Sequence, residues 1–318
     1  MENKFVLKVE DKFDIKGRGT ILGRYDTCFL FCCDPLNKKK PDMDYIDEYE
    51  EAKTNGFNVL LFSYEDLIEF GKVNILQSEE NCRVIYRGWM IKPKDYECLY
   101  NSLADKNYYL INSLDEYLNT HYLPNWYKYL ENLTSKTIWS KEIPSKEEIV
   151  EMLKDFNEEP IMVKDYVKSR KHEWYKSCYI ENAKETEKAI QVIDNFIKGQ
   201  GEDLNQGIVL RKFIQLESIG FHEKSGMPIS NELRLFIFNY KVVCTIGYWD
   251  GENMNEYPEF VGQILQELKN IKSNFFTIDI AKKSNGEWII MELGDGQVSG
   301  LQEYDIKNFY IKLINVLK

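Results

Sequence analysis

Apolar positions follow two rhythms along this chain, and the changes between them mark its elements. Between residues 25 and 112, short apolar runs alternate with stretches of helical spacing. CFLFCCD (28–34), FNVLLFS (57–63), CRVIYRG (82–88) and NYYLIN (107–112) read as strands. Residues 44–55, YEDLIEFG and 93–104 read as helices, the last with proline suited to its first turn. Strands alternating with helices predict a small parallel α/β lobe. Residues 113–160 are helical and aromatic, with Pro124 breaking the first helix. Ser145 and Glu148 have the capping-box spacing at the head of a helix over 145–156.

From residue 160 the rhythm turns to period two. PIMVKDY is a strand with Lys164 near its end, followed by VKSRKHEWYKSCYI, which carries Lys168, Arg170, Lys171 and Lys176. Cations clustered after a strand suit a polyphosphate, and a solvated basic loop is the competing reading. A helix over 183–198 leads to GIVLRKFIQL (207–216), where Arg211 and Lys212 point to opposite faces. ELRLFIFN (232–239) puts Glu232, Arg234 and Phe236 on one face, KVVCTIGYWD returns, and a helix over 302–318 ends the series. Internal repeats are absent.

The stretch 275–300, FFTIDIAKKSNGEWIIMELGDGQVSG, reads as a hairpin around Asn285-Gly286. With that pair as a two-residue turn, Asp279 falls opposite Glu292, their Cβ atoms roughly 4.5–5.5 Å apart. Two carboxylates so placed repel unless a cation lies between them. Asp295, in the following Gly-Asp-Gly turn, is expected to swing to the same point. Oxygen ligands in small number are what Mg²⁺ uses when substrate phosphates supply the rest. A pair of solvated hairpin acids is the bland alternative.

Composition narrows the chemistry. The 318 residues allow two or three domains, and 43% hydrophobic content is ample for a core. A membrane-spanning run and a signal-peptide apolar region are both absent, so a cytoplasmic setting is expected. Seven cysteines without CxxC spacing are read as reduced core residues. Only His121, His172 and His222 occur, far apart, which argues against zinc or a histidine triad. A net charge of −11 argues against broad nucleic-acid binding.

The order of these pieces resembles the ATP-grasp superfamily, and in particular its bacterial and phage clade named for one arginine and two lysines. YRGWM, IMVKDYVKS, KHEW, SGMP and ELGDGQVSGL carry the likeness over about residues 26–304. VLRKF and ELRLFIF also resemble the eukaryotic cell-division-cycle family of translation-factor assembly proteins, and residues 9–24 resemble the start of the second domain of Tu-type elongation factors. The resemblance implies an α+β chain: an ATP-grasp fold of two α+β lobes around ATP over 113–318, preceded by an α/β lobe (25–112) and an N-terminal β segment (1–24). It implies that Lys164 reaches the phosphates, that Arg211, Lys212 and Phe213 lie beside the nucleotide, and that Arg234 contacts phosphates or the transition state. Asp279, Glu292 and Asp295 would hold Mg²⁺. Lys136 would be a further nucleotide contact, and Arg87 and Lys168 acceptor contacts.

An ATP- and Mg²⁺-dependent ligase follows, joining a carboxylate to an amine through an acyl phosphate, with a peptide or protein acceptor and no membrane partner. The alternatives are an RNA-end ligase using nucleotidyl transfer, with Lys164 as nucleophile, and an ATP-binding assembly factor for a translation GTPase.

Overall fold

The computed structural model describes residues 27–221, 228–249 and 259–317. The elongation-factor-like stretch lies outside the described residues. The α/β rhythm at the start forms as expected. β1 (Thr27–Cys32), β2 (Asn58–Phe62), β3 (Cys82–Arg87) and β4 (Tyr108–Leu110) build a parallel sheet in the order β2-β1-β3-β4. Helices α1 (Ile46–Thr54), α2 (Tyr64–Phe70) and α3 (Pro93–Ala104) connect the strands. Ser63 caps α2 through its side chain, and left-handed Gly71 closes it.

Two helices follow, α4 (Leu114–His121) and α5 (Leu123–Leu130), divided where Pro124 cannot continue the first. The second sheet is antiparallel, β5-β8-β6-β7, from β5 (Thr137–Trp139), β6 (Ile161–Asp165), β7 (Tyr179–Ile180) and β8 (Ile208–Lys212). Helices α6 (Lys146–Lys154) and α7 (Thr186–Gln200) cover one of its faces through Ile149, Ile193 and Phe196. The capping box at Ser145 forms, with both reciprocal bonds to Glu148. β8 stops at Lys212, short of the expected 216. Residues 213–217 instead cross to the next sheet, held by Phe213 N–H to Pro160 C=O and Glu217 N–H to Lys282 C=O.

A short hairpin, β9 (Ser218–Phe221) and β10 (Pro228–Ser230), precedes the third sheet. That sheet has the order β12-β11-β13-β14, built from β11 (Glu232–Phe238), β12 (Lys241–Gly247), β13 (Phe275–Lys282) and β14 (Trp288–Asp295). α8 (Glu259–Glu267) and α9 (Ile306–Leu317) flank it. Alternation sorts its residues cleanly. Leu233, Leu235, Ile278 and Ile280 pack with α5 and α8. Phe236, Phe238 and Phe275 pack with α9 and with Phe29, Phe31 and Ile85 of the first sheet. The first and third sheets therefore share one core.

The cysteine reading needs one correction. Cys28 and Cys82, on the adjacent strands β1 and β3, form a disulfide, their Cα atoms 6.6 Å apart. Five others are free, and four of those are buried. No helix among the described residues is long and apolar enough to cross a membrane.

Candidate active site

Strands from the second and third sheets deliver their side chains to one cleft. β11 pairs Arg234 with Asp279, and β14 pairs Glu292 with the same Asp279. Directly opposed residues share a face, so the three form a row. The expected opposition of Asp279 and Glu292 is present, but the route to it differs. The turn holds three residues, closed by Lys283 N–H to Glu287 C=O, with Gly286 at φ 90°. That shifts the register by one, giving Ile280 opposite Ile290. A bulge at Met291 then restores it.

The two carboxylates are each covered by a cation. Arg234 Nε and Nη2 donate to the two oxygens of Asp279, both at 2.8 Å. Lys164, from β6, donates to Glu292 Oε1 at 2.5 Å. Burial pushes the Glu292 carboxyl up, yet the Lys164 ammonium, with Lys171 and Arg211 beyond it, holds it below the usual carboxylate range. Burial also opposes the charge of Arg234, and Asp279 more than offsets that, so the guanidinium stays protonated.

A cavity of about 530 Å³ opens beside this quartet, within the size range of small-molecule sites. Met162, Glu232 and Met291 line it, and each precedes a quartet member by one or two positions on its strand. The charged row thus continues the cavity by one strand step. One wall is aromatic. Trp174 and Tyr179 stack at 5.2 Å, and Phe213 meets both edge-on. Arg211, buried, also lines the cavity and donates to Ser135 Oγ, Thr134 Oγ1 and Ile290 C=O. Burial pushes its guanidinium down to about 10. Lys212, of opposite parity, pairs with Glu159 at the cavity lining.

Arg211, Lys212 and Phe213 therefore line this cavity, Lys164, Arg234 and Glu292 stand one or two strand positions from its lining, and Asp279 lies between Arg234 and Glu292 in the row. Four other expected residues do neither. Lys136 turns to the end of α6, reaching Asp155 C=O at 2.5 Å. Lys168 is exposed and outside the cavity. Arg87 is 1% exposed, with its guanidinium forked on Glu48 and donating to Gly296 and Ser299 C=O. It has no face toward a substrate.

Asp295 is the main correction. β14 runs straight through it, so strand parity sends it to the face opposite Glu292. There it is fully buried, accepting from Asn112 Nδ2 at 2.6 Å and from the backbone N–H and Nε2 of Gln297. Burial outweighs these donors and pushes its carboxyl up to about 7. An unfolded aspartate titrates near 3.9. Between about pH 4 and 7 the folded chain thus holds a proton that the unfolded chain has lost. This contribution to stability is greatest below about pH 4 and falls as pH rises through 7, by a total on the order of 4 kcal/mol. Asp295→Asn should flatten that slope. Urea melts of both proteins at pH 5 and pH 8 test it, and equal pH dependence would overturn the account.

The position on Glu292's face two residues on is Gly294, where an added Cβ would lie 3.0 Å from Thr277 Oγ1 and Ser299 Oγ. Among the described residues no group of three metal-ligating side chains is assembled. Mg²⁺ bound with substrate phosphates needs only one or two protein carboxylates. Asp279 and Glu292 supply two hard oxygen donors on one face beside a cavity, so the donor set fits that ion.

Sequence reading named Lys171 only as one of four cations in the basic run and left out the Trp174–Tyr179 wall. Lys171 lines the cavity and forms no ion pair among the described residues. Burial opposes its charge, but Glu232, Tyr248 and Glu292 pull its ammonium above the ordinary range. The signal was KHEW within the basic run. Irregular turns over 171–178, including a π-turn at Trp174–Cys178, hid which of its residues face inward.

Residues 152–313 match a family described as an ATP-grasp domain, the third family of the clade named for one arginine and two lysines. No curated protein sequence matches the chain. Solved structures share the fold at low identity. A RimK domain ATP-grasp protein from Sphaerobacter thermophilus superposes with a TM-score of 0.57 at 9% identity, over 91% of this chain and 99% of that one. The ATP-grasp ligase PsnB, complexed with a phosphomimetic variant of its minimal precursor, Mg and ADP, gives 0.56 at 11%, over 95% and 99%. The macrocyclase MdnC, bound with precursor peptide MdnA from Microcystis aeruginosa, gives 0.54 at 12%, over 91% and 99%. Cdc123 from Schizosaccharomyces pombe also matches, at a TM-score of 0.41, too low to carry an argument.

Proposed function

The chain belongs to the ATP-grasp superfamily, in the third family of its one-arginine, two-lysine clade, and from that premise we propose that it is an ATP- and Mg²⁺-dependent ligase joining a carboxylate to an amine. The observation that carries this is the charged quartet at the end of an aromatic cavity: Arg234, Asp279, Lys164 and Glu292. A planar base suits the wall of Trp174, Tyr179 and Phe213, since base–aromatic stacking tolerates any ring with a π-face. The phosphates then extend toward the quartet, with Lys171 beside their path.

In the proposed reaction an acceptor carboxylate oxygen attacks the γ-phosphorus. The bond to the β–γ bridging oxygen breaks, ADP leaves, and an acyl phosphate forms. An amine then attacks the acyl carbon, phosphate departs with the electron pair, and the amine gives up a proton to the departing phosphate or water, leaving an amide. Arg234 and Lys164 neutralise the charge that develops on the transferred group, and the cavity holds the reactants in line. Asp279 and Glu292 would hold Mg²⁺, which supplies charge neutralisation at the phosphates when bound. This scheme asks for no protein nucleophile.

The proposed acceptor is a peptide or protein, because PsnB and MdnC were solved with precursor peptides. Residues 25–112 are the proposed acceptor-binding lobe, in a cytoplasmic setting where ATP is made. The test is incubation with Mg-ATP and a pool of cell-extract peptides and RNAs, reading the nucleotide product. ADP with phosphate is expected. AMP with pyrophosphate would transfer the reading to nucleotidyl chemistry and overturn the acyl phosphate route.

A further inference from the structure

Both carboxylates proposed to hold the metal are already taken. Arg234 occupies the two oxygens of Asp279 in a fork, and Lys164 occupies Glu292. Two cations on two anions leave the quartet formally neutral. A divalent ion arriving alone would have to share those oxygens with an ammonium and a guanidinium at hydrogen-bond distance. Three of the four are largely buried, with side chains of Lys164, Arg234 and Asp279 at 11%, 12% and 9% exposure against 38% for Glu292, so repulsion is poorly screened above all at Asp279.

Among the described residues neither cation forms a second ion pair. The remaining polar contact of Arg234 is Gly300 C=O at 3.0 Å, and its guanidinium lies 4.9 Å over the Tyr248 ring. Among the described residues no third carboxylate joins the pair. What would release both cations is a polyanion entering from the cavity, where Lys171 stands without an ion pair among the described residues.

We propose that Arg234 and Lys164 are resident counter-ions that make metal binding conditional on nucleotide. The free protein excludes divalent metal. A phosphate chain, met first by Lys171, draws Arg234 off Asp279 and Lys164 off Glu292, and the two carboxylates then open to the ion. This rests on the Mg-ATP reading of the site, and it adds an order of events and a positioning role for the two cations.

The test uses the full chain without turnover. Mn²⁺ binding is followed by loss of the free-ion paramagnetic resonance signal. Binding of the ATP analogue AMPPNP is followed by calorimetry, in EDTA and in Mg²⁺. Wild-type protein should take up no Mn²⁺ alone, yet bind AMPPNP in EDTA. Arg234→Met and, independently, Lys164→Met should gain Mn²⁺ affinity without nucleotide by at least about tenfold. Adding Asp279→Asn to Arg234→Met should erase that gain. Wild-type uptake of Mn²⁺ as tight as in the variants would overturn the inference while leaving the metal site standing. Absence of AMPPNP binding in both EDTA and Mg²⁺ would overturn it together with the function it rests on. Using both the Arg234 and the Lys164 variant guards against one of them failing to fold.

Discussion

Glu292→Gln should lower ADP release from Mg-ATP by on the order of 10²–10³, with a smaller loss of stability than Asp279→Asn causes. The rate estimate follows from what removal of one preorganised electrostatic group costs. Glutamine keeps the shape of the side chain but loses the charge that balances Lys164 and one of the two carboxylates proposed to hold the metal. The stability half follows from exposure. The Glu292 side chain is 38% exposed, which moderates the cost, but Lys164 at 11% exposure loses its counter-ion. Asp279→Asn is the less informative variant. It would strip Arg234, at 12% exposure, of its fork and so lower stability and activity together. Turnover and thermal melts on the same preparation decide the matter. Unchanged ADP release from a folded Glu292→Gln protein would remove this carboxylate from the proposed mechanism.

Arg87→Ala should cost about 3–5 kcal/mol of stability, the largest single effect expected in the chain. Arg87 forks onto Glu48 with both bonds at 2.8 Å, and its other nitrogen donates to Gly296 and Ser299 C=O. Burial opposes its charge, but Glu48 more than compensates and raises its affinity for the proton. Its guanidinium also lies within 6 Å of Phe236 and Phe309. Removing it strands a buried carboxylate and two carbonyls at once. Replacing Arg87 and Glu48 together with Met and Leu should restore much of the loss, because the paired desolvation disappears with the pair. Urea melts of Arg87→Met, Glu48→Leu and the double variant close the cycle. A single-variant loss below about 1 kcal/mol would mean that the pair is solvated and contributes little.

Local rules read the regular elements well and failed where the answer depended on distant parts of the chain. Periods of two and 3.6 located the strands and helices, because those periods decide which side chains reach the core. The Asn-Gly signal located the turn, but as a three-residue loop. The opposition of Asp279 and Glu292 survived because the Met291 bulge cancelled that offset. No local signal marks the bulge. Asp295 was misplaced for a related reason. Gly294 and Gly296 suggested that the strand had ended, whereas hydrogen bonding carries it through Asp295, and parity did the rest. Arg87 looked like a ligand-binding group at a strand end because its partner, Glu48, lies on α1 and shows no pairing signal in sequence. The aromatic wall was invisible because residues 171–178 follow no period. The family resemblance put Lys136 at the nucleotide, whereas its side chain turns to Asp155 C=O.

The core shared by the first and third sheets has a consequence for how the chain is made. Phe29 and Phe31 of β1 are covered by Phe236, Phe309, Tyr310 and Leu313, which leave the ribosome long after β1 has emerged. The parallel sheet can pair its strands early, yet one apolar face stays exposed until α9 is synthesised. Contacts of such long sequence separation form slowly, and the uncovered face is a site for misassociation in the meantime. A nascent chain stalled before residue 306 would present that face permanently. Its yield as soluble protein would depend on holdase chaperones more than that of the finished chain.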